Sequence, residues 1–433
     1  MAIAPYNPPT RRWEKLLVLA GMTFASFIVS LLLFWLVHDR QDNFQTAVNS
    51  ITEPWGRAQT ISSPVLYVPC SETVNNKIVT SKALYILPDS LRIRSEVAPE
   101  VRSRNIFKTT VYRSRSEVSG QFQVSMHTLK PMEGLTIHWD QAAVAMIVRD
   151  PVGIKAPIRI QLDTTKLTLG GSASLSLFNS YTTLQAPYPI RTDAALSFST
   201  VLELNGSESI DFLPLGMQND VQLTLGWGDP SFHGRMLPDE RSVSDSVTTA
   251  HWRTMSINRT FAPGSNYQLI DESEYREHEL DEDTYGVKLM TGNDTYALVL
   301  RALKYAVLLI LFTFISFFFA DSLTTDRIPY IGYLLVGVAI LIFFTLLLSI
   351  SEYLGFSLAY LIAGVATIGL IIAYVRGYLG SSKAVGVVCG IEVILYGLLY
   401  LLLNMENFTL LVGSIFLFVV LGVVMYLTRR IEW

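Results

Sequence analysis

Residues 305–433 hold six acidic and five basic side chains in 129 positions, whereas residues 39–300 hold thirty acidic and 23 basic in 262. That contrast constrains the fold more than any motif. The first composition has no stable exposed state in water, and the second is that of an ordinary soluble domain. A purely soluble enzyme is excluded, and so is a permease with only short loops. The average over all 433 residues, 16% charged, describes neither part. A net charge of −4 gives no electrostatic footprint for nucleic acid, so none is expected as a partner. Of the two cysteines, Cys70 lies in the polar part and Cys389 in an apolar run. No disulfide is expected between them, and the polar domain must hold together through its core.

A hydrocarbon core of about 30 Å needs about 20 apolar residues in a helix. Six stretches meet this: 16–37, 302–320, 330–350, 354–375, 384–403 and 408–427. The first follows Arg11, Arg12 and Lys15 but is too long for a signal-peptide core and lacks a small-x-small cleavage site. It reads as an uncleaved signal anchor. Basic residues at Arg327, Arg376, Lys383, Arg429 and Arg430 mark cytoplasmic segments, and the short loops 351–353 and 404–407 contain no Lys or Arg. The expected layout is a cytoplasmic N-terminus (1–15), a membrane anchor, a periplasmic domain (38–301), five further spans (302–427) and a cytoplasmic tail (428–433). The protein is therefore expected in the cell inner membrane as a multi-pass chain, with the lipid bilayer as its first partner.

The polar segment begins with Phe44, Val48 and Ile51 at helical spacing, so the first helix is expected to continue outward until Pro54. Short β-branched or alternating runs follow at 65–68, 83–87, 105–112, 121–126, 134–138, 142–148, 158–162, 194–204 and 221–225. Bounded by Pro, Gly, Asn and Asp, they predict a β-rich, sandwich-like domain or two packed β-subdomains. The fold class is thus an α-helical membrane bundle of six transmembrane helices plus a large β-rich periplasmic domain. The stretch 271–283, with eight acidic residues and Arg276, reads as a solvated loop, and 291–295 as a turn back to the membrane.

No metalloprotease, redox, serine-hydrolase or phosphate-loop signature occurs, and the six histidines show no pair at metal-ligand spacing. Neither a cofactor nor an enzymatic activity is expected. The most informative residue is Glu392, eight residues inside the fifth span, because an ionisable group at that depth is costly. Glu392, Tyr396, Tyr400 and Asn404 recur every four residues and form a stripe that drifts about 40° per step. It should face the bundle interior. One reading is a proton- or substrate-coupled path; the other is interhelical glue, a protonated Glu bonded to a neighbouring hydroxyl. Small residues at Ser26, Ser30, Gly386, Gly390, Gly413 and Ser414 suggest close helix approach. Arg301 and Lys304 stand at the same depth as Glu352 and Glu406 and are expected either to pair with them, fastening the β-domain to the bundle, or to contact headgroups separately.

Four strings in order resemble a known family, the CreD-like inner-membrane proteins. The first runs from Trp227 to Arg241 and includes Pro230, Phe232, Gly234 and Pro238, with Trp252 just beyond it. The others are 301–306, then Ser351-Glu352 with Gly355-Phe356, and the C-terminal segments 396–400, 411–414 and 425–433. The chain departs from the family's usual pattern at Val247-Thr248 and at 150–153. The resemblance implies an inner-membrane protein of cell-envelope integrity, commonly controlled by a two-component system and linked to tolerance of envelope-directed agents. It implies no catalytic residues. The resulting expectation is a periplasmic β-domain that binds an envelope protein or ligand and is anchored on a helical bundle; the alternative is a proton-coupled transporter or lipid-handling protein using the Glu392 stripe.

Overall fold

In a computed structural model of the protein, residues 12–74, 77–126, 135–172, 181–271, 280–289, 294–323, 329–378, 382–405 and 409–429 are described. Most of the acidic run 271–283, most of the turn at 291–295, and Glu406 lie outside them. The chain divides into two compact units, one of residues 46–292 and one of residues 1–45 with 293–433.

The first unit is built from three sheets. One has the order β1 (Gln59–Ser62), β13 (Ser209–Leu213), β19 (Tyr285–Leu289) and β15 (Pro230–Gly234), with β1 and β13 parallel. The second runs β10 (Gly170–Ser172), β11 (Thr182–Pro187), β7 (Ala143–Val148), β2 (Val65–Val74), β3 (Lys77–Ile86) and β18 (Tyr267–Asp271), with β6 (Leu135–Ile137) paired to β2. The third runs β16 (Glu240–Val243), β17 (Thr248–Met255), β14 (Gln218–Leu225), β4 (Ser90–Arg104), β5 (Phe107–Val124), β12 (Ala194–Ser207), β8 (Arg159–Leu162) and β9 (Thr165–Thr168).

Two hydrophobic cores explain the strand patterns. The larger takes Val68, Ile93, Val118, Val144, Met146, Phe198, Phe212, Val221 and Trp252, from all three sheets. The smaller lies on the other face of the second sheet, with Val65, Tyr85, Ala145, Ile147, Leu213 and Phe261. Strand β7 is buried on both faces, and its sequence is accordingly apolar throughout. By contrast, β4 alternates exposed Arg92, Arg94 and Glu96 with buried Leu91, Ile93, Ser95 and Val97. The separate runs expected at 105–112 and 121–126 are one strand, β5, which pairs with β4 over its whole length.

Seven helices are described in the rest of the chain: α1 (Arg12–Trp55), α2 (Asp294–Lys304), α3 (Ala306–Leu323), α4 (Tyr330–Leu354), α5 (Phe356–Arg376), α6 (Ser382–Asn404) and α7 (Thr409–Thr428). Helix α1 continues past the apolar stretch 16–37 and ends where Gly56 takes φ +127; a Cβ there would lie 2.6 Å from the Asn205 carbonyl oxygen. Four helices are individually long and apolar enough to cross a membrane: Leu17–Trp55, α4, α5 and α6. Helices α2 and α3 pass the same test only as a pair bent by 46° at Tyr305, which makes five crossings if the pair is one span. The unbroken helix expected over 302–320 is therefore broken near its start, where the Tyr305 amide bonds Ala302 with three-residue spacing. Helix α7 is 20 residues long and apolar, and the stretch Leu411–Val423 within it does not by itself reach span length.

The glycines pack differently from expectation, whereas Ser26 does stand at a close approach. A Cβ added at Gly386, Gly390 or Gly413 would meet nothing within 4 Å. The close approaches are at Gly337, where Phe314 lies 3.0 Å and Ser26 Oγ 3.5 Å away, and at Gly364, 3.6 Å from the Tyr396 ring.

Candidate functional site

Helix α6 sets four polar side chains one turn apart, and their burial falls along the row. Glu392 is fully buried, Tyr396 is buried, Tyr400 is half-buried and Asn404 is exposed. The cause is geometric: a drift of about 40° per step turns the fourth residue about 120° away from the first. Glu392 and Tyr396 face the bundle interior, and Asn404 bonds back to the Tyr400 carbonyl.

Each buried member is held from a different helix. Thr313 Oγ1 of α3 donates to Glu392 Oε2 at 3.2 Å. Tyr360 of α5 donates its hydroxyl to the Tyr396 carbonyl at 2.7 Å. Phe343 of α4 stands edge-on to the rings of Tyr396, at 4.9 Å, and Tyr360, at 5.4 Å. Glu392 Oε1 and the Tyr396 hydroxyl are buried with no hydrogen-bond partner among the described residues. The arrangement can tie four helices together, and it offers one unbonded carboxyl oxygen beside one unbonded phenol.

Of the two bases at the start of the second apolar stretch, Arg301 takes a partner other than the carboxylates considered for it. Arg301 Nη1 donates to the Leu403 carbonyl at 3.2 Å, near the end of α6, where a helix's unpaired carbonyls attract a cation. Glu352 instead accepts the Tyr296 hydroxyl at 3.0 Å. Lys304 is exposed, and neither base forms an ion pair with Glu352 among the described residues. Glu406 lies outside them.

In the β-unit, the segment from Trp227 to Trp252 is an aromatic packing device. Trp252 is buried and stacks on Tyr285 at 5.4 Å, with Phe212 at 5.9 Å and Phe232 edge-on at 6.1 Å. Arg241 covers the outer side of Phe232 at 5.8 Å. Pro230 opens β15 and Gly234 closes it at φ +96, where a Cβ would lie 2.3 Å from the Thr284 carbonyl oxygen. The Trp227 indole donates to the Asp229 carbonyl, its own carbonyl accepts the Thr248 hydroxyl, and Pro238 lies in the loop before β16.

Sequence reasoning missed two buried polar arrangements in this unit. In the first, Asp211 of β13 and His233 of β15 meet at 2.8 Å across the intervening β19, above Gly286. A Cβ on Gly286 would come within 2.7 Å of Asp211 Oδ1, so only glycine leaves room for the pair. In the second, the buried Arg259 guanidinium donates to the carbonyls of Leu215, Gly216, Ala262 and Ser265, and burial lowers its pKa to about 10. His233 lies inside the Trp227–Arg241 string, which was a usable signal; Asp211 becomes its neighbour only through the sheet. Among the described residues no group of three or more His, Cys, Asp or Glu could hold a metal ion, and both cysteines are free.

These features define a class: a multi-pass membrane protein that carries a large β-rich unit between its first apolar helix and the remaining ones. The profile of the family described as inner membrane protein CreD matches residues 12–433, and the chain belongs to that family. It is 28% identical over 436 aligned residues to inner membrane protein CreD of Escherichia coli (strain K12), covering 97% of this chain and 93% of that relative. The resemblance drawn from the four strings therefore holds, and with it a place in the inner membrane.

Proposed function

We propose that the protein maintains the cell envelope, with residues 38–301 in the periplasm as a partner- or ligand-binding module and a six-span bundle, both termini cytoplasmic, as its anchor. No catalysis is assigned to it. The charge pattern of the short loops supports the orientation, and the six-span reading takes the bent α2–α3 pair as one span and the 20-residue α7 as the last. The observation that carries the binding role is the distribution of exposed apolar surface. Nine large apolar side chains are exposed in the described part of the β-unit, and five of them, Leu237, Val243, Val247, Met255 and Ile257, fall within residues 237–257. Leu237, Val243 and Val247 lie before, in and after β16, the terminal strand of its sheet, and Met255 and Ile257 lie at and beyond the end of its neighbour β17. An apolar rim on a sheet edge suits recognition of another protein segment.

Placement and binding are tested separately. In Val243→Cys, an inner-membrane-impermeant maleimide should label the new thiol in outer-membrane-permeabilised cells, against a low background because Cys70 is fully buried. Labelling only after the inner membrane is broken overturns the placement. Leu237→Asp with Val243→Asp should abolish tolerance of an envelope-directed agent at unchanged protein abundance, while Glu392→Gln retains it.

One observation favours a second reading, proton-coupled transport or lipid handling along the stripe: the unbonded Glu392 Oε1 beside the unbonded Tyr396 hydroxyl. It requires the reverse outcome, with Glu392→Gln inactive though folded and abundant, and the double aspartate variant active.

A further inference from the structure

The helical unit contains an apolar groove that the polar stripe does not use. It lies between α3, α6 and α7, has a volume of about 430 Å³, and is walled by Leu309 and Phe312, Leu399 and Leu402, and Gly413 and Phe416. Its one serine, Ser414, is already bonded to the carbonyl of Leu411 in its own helix. Helix α7 reaches across it, Phe416 meeting Phe312 edge-on at 5.6 Å. None of the described side chains of α7 is buried, so this helix stands off from its neighbours instead of closing on them.

The groove is not apolar at both ends. Tyr305 lines it at the point where α2 and α3 meet at 46°, and Lys304 and Arg301 belong to the last turn of α2 just before that break. Lys304 is exposed and outside every ion pair among the described residues. Arg301 reaches the Leu403 carbonyl, next to Leu402 of the groove wall, with one of its five N–H groups. Two cations therefore stand beside one end of an apolar slot between apolar helices, Lys304 as the chain neighbour of its Tyr305 and Arg301 bonded to the residue after its Leu402.

We infer that the groove binds one anionic glycerophospholipid, with an acyl chain between α3, α6 and α7 and its phosphate at Lys304 and Arg301. The slot supplies only dispersion and apolar burial, which any acyl chain satisfies. The two positive charges select a headgroup of net negative charge, because a zwitterionic lipid would bring its own cation to them. The inference is independent of what the β-unit binds.

The test is native mass spectrometry of the full chain in detergent, with dioleoyl phosphatidylglycerol or dioleoyl phosphatidylcholine added. The wild type should retain one phosphatidylglycerol in preference to phosphatidylcholine. Lys304→Ala should weaken that retention about fivefold, the value of one interfacial cation, with the melting temperature of the delipidated protein unchanged. Gly413→Phe, which fills the groove from an open position, should abolish it. Equal retention of the two lipids by the wild type, or unchanged retention in Lys304→Ala, overturns the proposal. Should Gly413→Phe fail to fold, the headgroup variant and the lipid comparison still decide it.

Discussion

The two units satisfy their carboxylates in different ways, and the difference follows from what their backbones have left to give. In the β-unit, carboxylates collect backbone amides: Asp283 takes those of Thr260 and Phe261, Asp150 those of Arg57 and Val152, and Asp163 that of Ser197. Loops and strand ends leave N–H groups unpaired, so an acceptor finds donors there. In the helical unit every interior N–H is already engaged by its own helix, whereas each carbonyl keeps a second lone pair. Donors therefore have carbonyls within reach: Thr23, Ser30, Ser316, Ser351 and Tyr360 all bond helix carbonyls, although the Tyr396 hydroxyl bonds none among the described residues. An acceptor is not. Among the described residues Glu392 has a single side-chain donor, Thr313.

The β-unit's large side chains converge on a few buried residues, so its variants should be the most damaging. Trp252→Ala removes the side chain on which Phe212, Phe232 and Tyr285 converge, and about 3–5 kcal/mol of stability should go with it. Thermal melting and limited proteolysis of the full chain would register this as early loss of the β-unit. A change under about 1 kcal/mol would mean the aromatic cluster is a surface feature and not the centre of the fold.

Arg259→Met is next. It leaves the carbonyls of Leu215, Gly216, Ala262 and Ser265 without their donor, at a cost of about 3 kcal/mol. The depressed pKa fixes a sign as well. A base whose folded pKa lies below its unfolded value makes stability rise with pH only from about pH 10 upward. Below pH 10 both states are charged, so the loss in Arg259→Met should be the same at pH 6 and pH 8. A loss that changes across that interval would require another titrating group in the network.

These contrasts also show why some features could be read in the sequence and others not. The apolar stretches 330–350, 354–375 and 384–403 return as α4, α5 and α6 within a few residues, because length and apolarity are properties of one segment. The break at Tyr305 left no trace, since neither Pro nor Gly occurs in 302–320. Strand β4 was hidden because its inward row contains Ser95, which bonds Ser116 of β5, and Pro99 interrupts the pattern. Glu392 was legible from its depth alone. Its donor, 79 residues away, was not. Gly386, Gly390 and Gly413 misled for the same reason: whether a glycine receives a neighbour depends on which face the bundle turns inward.

Within the bundle, the shortage of donors makes a specific claim. Thr313→Val removes the only described donor to Glu392 and should destabilise the helical unit by about 1 kcal/mol. Glu392→Gln replaces an acceptor with a side chain that also donates, and spare helix carbonyls are close by. Its stability should therefore match or exceed the wild type, and Thr313→Val made on that background should matter less. A double-mutant cycle with no coupling would remove the donor-shortage argument.

The smallest effect tests the same argument from the donor side. Tyr360→Phe deletes one hydroxyl bonded to the Tyr396 carbonyl, which is already engaged in its helix. Because that carbonyl loses only its second partner, the cost should be about 0.6 kcal/mol, the average for side-chain hydrogen bonds between membrane helices. Asn404→Ala is the matched control: its amide bonds the Tyr400 carbonyl at an exposed position where other donors can replace it. Its melting temperature should equal that of the wild type. If Tyr360→Phe instead exceeds Thr313→Val, donors and not acceptors limit this bundle, and the contrast between the two units is reversed.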